Sequence, residues 1–368
     1  MSILITILML SVIIVVHEFG HYIAARKNGI LVEEFAVGMG PILFSKKKGD
    51  TLFSLRAIPL GGFCKMLGED EDDSEEDSTY NYEDSYNSKS VFQRIVVIGA
   101  GSVLNFVLAF VIVLVLVLVN GFVSPTIGTI TDGYPAQAAG LLPNDRIVQI
   151  DGSNIRLFQD VRFALLNNGE TPIEVVINRD GTNITKTITP IRSGNNYMLG
   201  FSGVPFNGIF GPTTLNMGGE IIEITADRAG LLESISVAFW RVVDFIRTII
   251  WAFGQLLTFN LTLNDMAGPL GVVNIIDDAY QATVEINLWY MATQILTLAA
   301  LFSANIGVFN LLPFPALDGG RLVFLGIEAV RGKPINPEKE GYVHVLGFVL
   351  LIGFAIIVTF NDITRLFR

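Results

Sequence analysis

The stretch that most constrains this 368-residue sequence is His17-Glu18-Phe19-Gly20-His21, which lies in an apolar run beginning at Met1 and free of charge over residues 3–16. Positions i and i+4 of a helix share a face, so both imidazoles can bind one metal ion, with Glu18 one residue along and placed to act on a water. The run has the length and composition of the outer part of a membrane-spanning helix. Ionisable groups in such a helix are costly to bury and usually functional. At about 1.5 Å per residue, His17 sits roughly 24 Å from the start, in the inner part of a hydrocarbon core about 30 Å thick.

Composition fits that setting. The chain is 51% hydrophobic and only 16% charged, which excludes an ordinary soluble enzyme and points to a polytopic membrane protein. A net charge of −11 leaves no basic surface for nucleic acid. The single cysteine, Cys64, forms no intrachain disulfide and no Cys-rich zinc site, and reads as inert. The first run has neither a basic n-region nor a small-residue cleavage site, so it is expected to stay as a helix rather than be removed as a signal peptide.

Taken in order, the first transmembrane helix occupies residues 1–30. Basic residues recur at Arg26, Lys27, Lys46, Lys47, Lys48, Arg56, Lys65, Lys89 and Arg94, so the loop after it is expected to be cytoplasmic and the N-terminus to face outward. Within residues 31–94, Glu34–Pro41 reads as turn-rich, and strands near Ile42–Ser45 and Thr51–Ile58 flank a hairpin turn. Such strands either form a plain cytoplasmic hairpin or re-enter the bilayer beside a watery cavity. Residues 69–85 are an acidic, low-complexity stretch that reads as a solvated linker. The second span covers 95–120, where Gly101, Ser102, Asn105 and Ala109 form a small, partly polar stripe suited to close helix packing. Asn105 is either interhelical glue or a substrate-contacting amide.

Residues 124–208 change character to a small soluble β-rich domain. Strands are expected at Thr126–Ile130, Arg146–Ile150, Pro172–Asn178 and Asn183–Ile188, with helices at Pro135–Gly140 and Phe158–Leu166. Residues 209–287 follow, Gly-rich at first. Ser234–Phe259 is apolar but interrupted by Arg241, Asp244 and Arg247, and reads as a helix lying along the membrane interface. Met266–Gly271 reads as a turn before the third span (288–330). That span runs into Asn310-Leu311-Leu312-Pro313-Phe314-Pro315-Ala316-Leu317-Asp318-Gly319-Gly320-Arg321, where prolines and glycines break a helix at membrane depth. Asp318 alone would read as a helix N-cap; beside two histidines it reads as the third ligand of a zinc site that keeps one position open. A cytoplasmic loop (331–343) leads to the fourth span (344–361), and His344 at its start reads as an interfacial residue.

These motifs together resemble the site-2 protease family of intramembrane zinc metalloproteases, in the bacterial regulator-of-sigma-E-protease form with one PDZ domain. The likeness rests on His17–His21, the Glu34…Gly38-Met39-Gly40-Pro41 turn, Gly101…Asn105, Tyr134–Gly152 as a permuted PDZ core, and Asn310…Leu317-Asp318-Gly319-Gly320. Asn144 stands where that core usually has Gly, tolerable because Asn is the next-best residue for positive φ. The resemblance implies a polytopic α-helical membrane protein with four transmembrane helices, a membrane-associated β-hairpin region and an inserted extracytoplasmic PDZ domain. It also implies one Zn²⁺ per chain on His17, His21 and Asp318, with Glu18 as general base. Asn310 and Asn105 would handle substrate, and the Ile127–Ile130 edge, with Gly128 and Ile130, would accept an extended peptide or chain terminus. Single-span membrane proteins, such as an anti-sigma factor or a signal-peptide remnant, would be cleaved in the bilayer of a bacterial cell membrane. Both termini and the PDZ domain would be extracytoplasmic, and the active site would lie towards the cytoplasm. The competing class is a non-catalytic PDZ adaptor with a structural metal, but structural zinc sites are usually closed by four protein ligands and only three are found here.

Overall fold

The structure is a computed structural model that describes residues 1–69, 81–194, 196–210, 214–217, 220–223, 227–258, 267–284 and 287–366. The chain divides into two compact units, one made of Met1–Ile112 with Phe245–Arg368 and the other of Val113–Asp244. Two helices run from one unit into the other.

Helix α1 (Ser2–Lys27) has no charge in its first four turns and ends on Arg26 and Lys27, which complement the C-terminal end of the helix dipole. After it comes a long antiparallel hairpin, β1 (Val32–Lys48) and β2 (Thr51–Met66). This corrects the expectation for Glu34–Pro41, which is strand rather than turn. Gly38 and Gly40 have φ of 83° and 85° and sit among breaks in register, so the glycines kink a strand instead of ending it. Glu34–Val37 pairs with Lys65–Gly62 on one side and with Leu52–Leu55 on the other. The start of β1 is therefore flanked by both ends of β2. Val32, Phe35, Cys64 and Met66 bury against Ala25 and Ile30, against Val97 and Ile98, and against Leu325. Rings of Tyr22, Phe35 and Phe53 pack 5.6–5.9 Å apart on the same face. The far half of the hairpin exposes Met39, Ile42, Leu43, Phe44, Leu55 and Ile58.

Most of the acidic stretch lies outside the described residues. Its described ends are not a free linker: Asp84 O accepts from Leu31 N, Leu67 O accepts from Tyr86 N, and Glu69 pairs with Arg321. Helix α2 (Val91–Asn120) follows, and Gly101, Ser102, Asn105 and Ala109 are all buried on it, as the stripe predicts.

The second unit contains β3 (Phe122–Ile130), α3 (Pro135–Ala138), β4 (Arg146–Ile150), β5 (Ser153–Asn154), α4 (Phe158–Asn168), β6 (Ile173–Arg179), β7 (Thr182–Ile188), β8 (Ile191–Ser193), β9 (Asn196–Met198), β10 (Phe201–Phe206), β11 (Thr214–Met217) and β12 (Glu220–Glu223). Its main sheet has the order β10-β3-β4-β6-β7, with β5 on β4. Alternate residues Ile173, Val175 and Ile177 bury with Ile127, Ile147, Ile150 and Leu199, as the period of two requires. The strands and helices expected over 126–188 all form. Asn144 has φ of 73°, and Asp145 beside it is buried and held by Arg179 through two bonds of 2.7 and 2.8 Å. One expectation fails: the Ile127–Ile130 edge, with Gly128 and Ile130, is not open. β10 pairs along it, Phe201 opposite Ile130 and Gly203 opposite Ile127, while Asp145 O and Asn144 N take Ile127 from the other side.

Helix α5 (Leu231–Leu257) carries Arg241, Asp244 and Arg247 at its middle. Helix α6 (Pro269–Val284) begins inside the segment expected to be a turn; Met266 lies outside the described residues. Its first turn is capped from a distance, because Asp362 accepts from Gly268 N at 3.3 Å and Gly271 N at 2.8 Å. Helices α7 (Leu288–Leu311), α8 (Asp318–Arg331) and α9 (Pro337–Leu366) complete the chain. Among the described residues, four helices are long and apolar enough to cross a membrane: Ser2–Lys27, Val91–Asn120, Leu288–Leu311 and Glu338–Thr364. They overlap the four segments in which spans are expected.

Candidate metal centre

α1 carries His17 and His21 on its inner face and α2 crosses it there at contact distance. A Cβ on Gly20 would fall 2.4 Å from Ala100 O, and one on Gly101 would fall 2.5 Å from His21 Nε2 and 2.7 Å from His17 Nε2. Only glycine lets these backbones meet at the imidazoles. Asp318, the first residue of α8, joins them from some 300 residues along the chain. His17 Nε2, His21 Nε2 and Asp318 Oδ2 lie 3.1, 3.1 and 3.4 Å apart. Both imidazoles are buried and Asp318 is half-buried.

A tetrahedral zinc ion with bonds of about 2.0–2.2 Å needs its ligand atoms roughly 3.3–3.6 Å apart, close to the triangle seen here. The ring protons must also be elsewhere. His21 Nδ1 donates to Val97 O at 2.9 Å, which leaves its Nε2 bare. For His17, Asn105 Nδ2 lies 3.3 Å from Nδ1, while Asn105 Oδ1 is buried with no hydrogen-bond partner. Turning that amide over puts Oδ1 on the ring Nδ1–H, which satisfies the orphan oxygen and bares His17 Nε2 as well. Both histidines thus fit the ligand role, and the carboxylate supplies the charge.

Glu18 lines a cavity together with His17, His21 and Asp318, walled by Phe63, Cys64, Lys65 and Met66 of β2 and by the Glu69–Arg321 pair. Gly62 brings β2 close enough that a Cβ there would sit 3.6 Å from Glu18 Cγ. Asn310, half-buried at the end of α7, has its Nδ2 3.3 Å from His17 Nε2. Asn105 is fully buried behind His17 with its side-chain amide against that ring, a contact between helices, which is one of the two readings open for it. Gly128 and Ile130 belong to the second unit, on the strand along which β10 pairs.

The sequence reading missed three contributors. Gly101 was seen as packing only, without its contact to the ligand nitrogens. Glu69 was placed in a linker, yet it pairs with Arg321 three residues after Asp318. His344 was read as interfacial, yet its Nδ1 accepts from Ala316 N at 2.9 Å.

Two imidazoles on a helix apolar enough to cross a membrane, a carboxylate converging on them and a second carboxylate alongside form the pattern of a membrane-embedded metallohydrolase. The chain belongs to peptidase family M50, whose model matches residues 5–354. Among curated relatives, it is 32% identical over 439 aligned residues to the zinc metalloprotease RasP of Bacillus licheniformis, covering 98% of each chain. It is 35% identical over 365 residues to a putative zinc metalloprotease of Clostridium perfringens, covering 99% of this chain and 98% of the other. It is 30% identical over 439 residues to the regulator of sigma-W protease RasP of Bacillus subtilis, again with 98% of each covered. The protein is a multi-pass zinc metalloprotease of the site-2 type.

Proposed function

We propose that this chain cuts single-span membrane proteins within or beside their transmembrane segment, with His17, His21 and Asp318 holding one zinc ion and Glu18 as the general base. The observation that carries this reading is the triangle of bare donor atoms at 3.1–3.4 Å with Glu18 in the cavity beside it. A zinc ion held by His17, His21 and Asp318 would supply Lewis-acid chemistry, polarising a peptide carbonyl and lowering the pKa of water towards about 7. Glu18 takes the proton of the attacking water and passes it to the leaving amine. The Asn310 amide, close to the ligand atoms, donates to the oxygen on which negative charge develops. A helical substrate hides its carbonyls in internal hydrogen bonds and must unwind first. The Gly62–Met66 end of β2, along the cavity wall, offers a strand to pair with the unwound segment and offsets part of that cost.

The hairpin reads as re-entrant. Its far half exposes an apolar patch that water disfavours, which a bilayer or a substrate helix accepts. The basic residues of the 31–94 region favour the cytoplasmic side for this end of α1, leaving both termini and residues 124–208 outside, in the cell membrane of a bacterium. We read residues 124–208 as a PDZ domain whose accepting strand is β10 rather than β3. Among the described residues β10 pairs on one side only, and Phe158 of α4 stands edge-on to Phe201 at 5.9 Å.

Incubating the purified chain in detergent with a tagged single-span protein, and locating the cut by mass spectrometry, tests the reading. Cleavage within the hydrophobic segment or within about five residues of its boundaries is expected. Cuts confined to the soluble tails contradict it.

A further inference from the structure

We propose that His344 is a positioning residue for the metal site: it selects the backbone turn that delivers Asp318. This rests on the reading of His17, His21 and Asp318 as the ligands. The segment Phe314-Pro315-Ala316-Leu317 closes a β-turn in which Leu317 N donates to Phe314 O at 3.2 Å. Pro315 at the second position and a third residue with φ of 73° give it the type II form, and the third position of that turn ordinarily requires Gly. Here it is Ala316. An alanine left to itself prefers the type I turn, in which the central peptide is flipped and φ of the third residue is negative.

What holds the flipped-in peptide is α9. Ala316 N donates to His344 Nδ1 at 2.9 Å, and one turn further along the same face Gly347 is so close that a Cβ there would fall 2.4 Å from Pro315 Cβ. Because a backbone amide can only donate, Nδ1 carries no proton and the neutral ring keeps its proton on Nε2, which faces Glu340 Oε1 across 3.8 Å. Asp318 is the next residue after the turn, and Gly319 and Gly320 pack against Leu312 O and Phe314 O so closely that a Cβ on either would collide. The turn therefore has nowhere to relax without moving the carboxylate. Most of α9 is exposed along this stretch, and His344 and Gly347 form the part of it that grips the turn.

The test is zinc affinity of the full chain in detergent, measured by competition with a chromogenic chelator, with the absorption bands of the cobalt(II)-substituted protein as a second readout. His344→Leu fills the space without an acceptor and is expected to weaken zinc roughly 10–100-fold and to shift the cobalt bands. His344→Asn, which keeps an acceptor oxygen, is expected to stay within about threefold of native. Adding Ala316→Gly to His344→Leu is expected to restore most of the affinity, since glycine takes the type II turn unaided. The proposal is overturned if His344→Leu binds zinc as native does, or if Leu and Asn weaken it equally and Ala316→Gly restores nothing. Should both variants misfold, amide exchange in the native protein decides: a protected Ala316 amide supports the bond, and one exchanging like open loop overturns it. Asp318→Ala is the control, because unchanged zinc affinity there refutes the ligand assignment, and the role of His344 with it.

Discussion

His17 and His21 stand one turn apart on α1, so the helix itself sets their spacing, whereas Asp318 opens α8 after a turn shaped by residues elsewhere in the chain. The histidine half needs little beyond proton placement and room: Val97 O and Asn105 orient the rings, and Gly101 leaves space for them. The aspartate half needs a gripped turn and two glycines that let α8 start against Leu312 and Phe314. The contrast teaches that a ligand on a helix is positioned by periodicity, and a ligand on a loop by tertiary contacts.

Gly101→Ala breaks the first half most directly. A methyl group 2.5–2.7 Å from the ligand nitrogens forces the rings or α2 to move. We expect zinc affinity to fall on the order of a hundredfold or more and hydrolysis to vanish. Metal content after dialysis checks this, with circular dichroism confirming the helices; native zinc content would mean that the helices separate without disturbing the ligands. Asn105→Ala, which frees the His17 ring, should weaken zinc about 10–100-fold, and Asn105→Asp, which still accepts from Nδ1–H, should retain most of it. Chelator competition distinguishes them. Asp362→Ala asks whether any α9 contact matters equally. Losing this cap should cost α6 about 1 kcal/mol and speed exchange of the Gly271 amide several-fold, leaving zinc affinity within about twofold.

The smallest effect on the site should come from the second unit. Burial, the largest single influence, works to raise the Asp145 carboxyl, but the hydrogen bonds from Arg179 and Leu142 N together with the charges of Arg179 and Lys186 outweigh it and hold the group below the ordinary carboxylate range. A depressed value stabilises the fold above the unfolded pKa of about 3.9, and that stability is lost as pH falls through the lower folded value. Acidifying the full chain below about pH 4 should therefore speed amide exchange in β4 and β6, and Asp145→Asn should raise exchange at neutral pH and flatten the pH response. Zinc affinity at pH 7 should not change with Asp145→Asn; a change would show that this unit's stability reaches the metal.

How far the chain could be read from its residues follows the same division. The HExxH half was legible because ligands and base lie within one helical turn, and the strands of the second unit because Ile173, Val175 and Ile177 alternate between Asp-Gly turns at Asp151-Gly152 and Asp180-Gly181. Asp318 was legible only beside the histidines. What failed was non-local. β1 looked like a turn because Gly38, Gly40 and Pro41 are turn residues, while the pairing with β2 that overrides them comes from beyond the loop. α6 lacked a local side-chain cap, because its cap is Asp362, more than 90 residues on, and Pro269 at its first position read as part of a turn. The β3 edge looked open because β10 closes it from some 70 residues away. His344 looked interfacial because its partner is a backbone amide, which no side-chain pattern reveals.

The most direct measurement is cleavage of a tagged single-span membrane protein by the native chain and by Glu18→Gln at verified equal zinc content. Glu18→Gln should keep its zinc and lose cleavage by at least about a thousandfold, the loss of a general base that also shuttles the proton. Equal cleavage by both forms would contradict that role of Glu18.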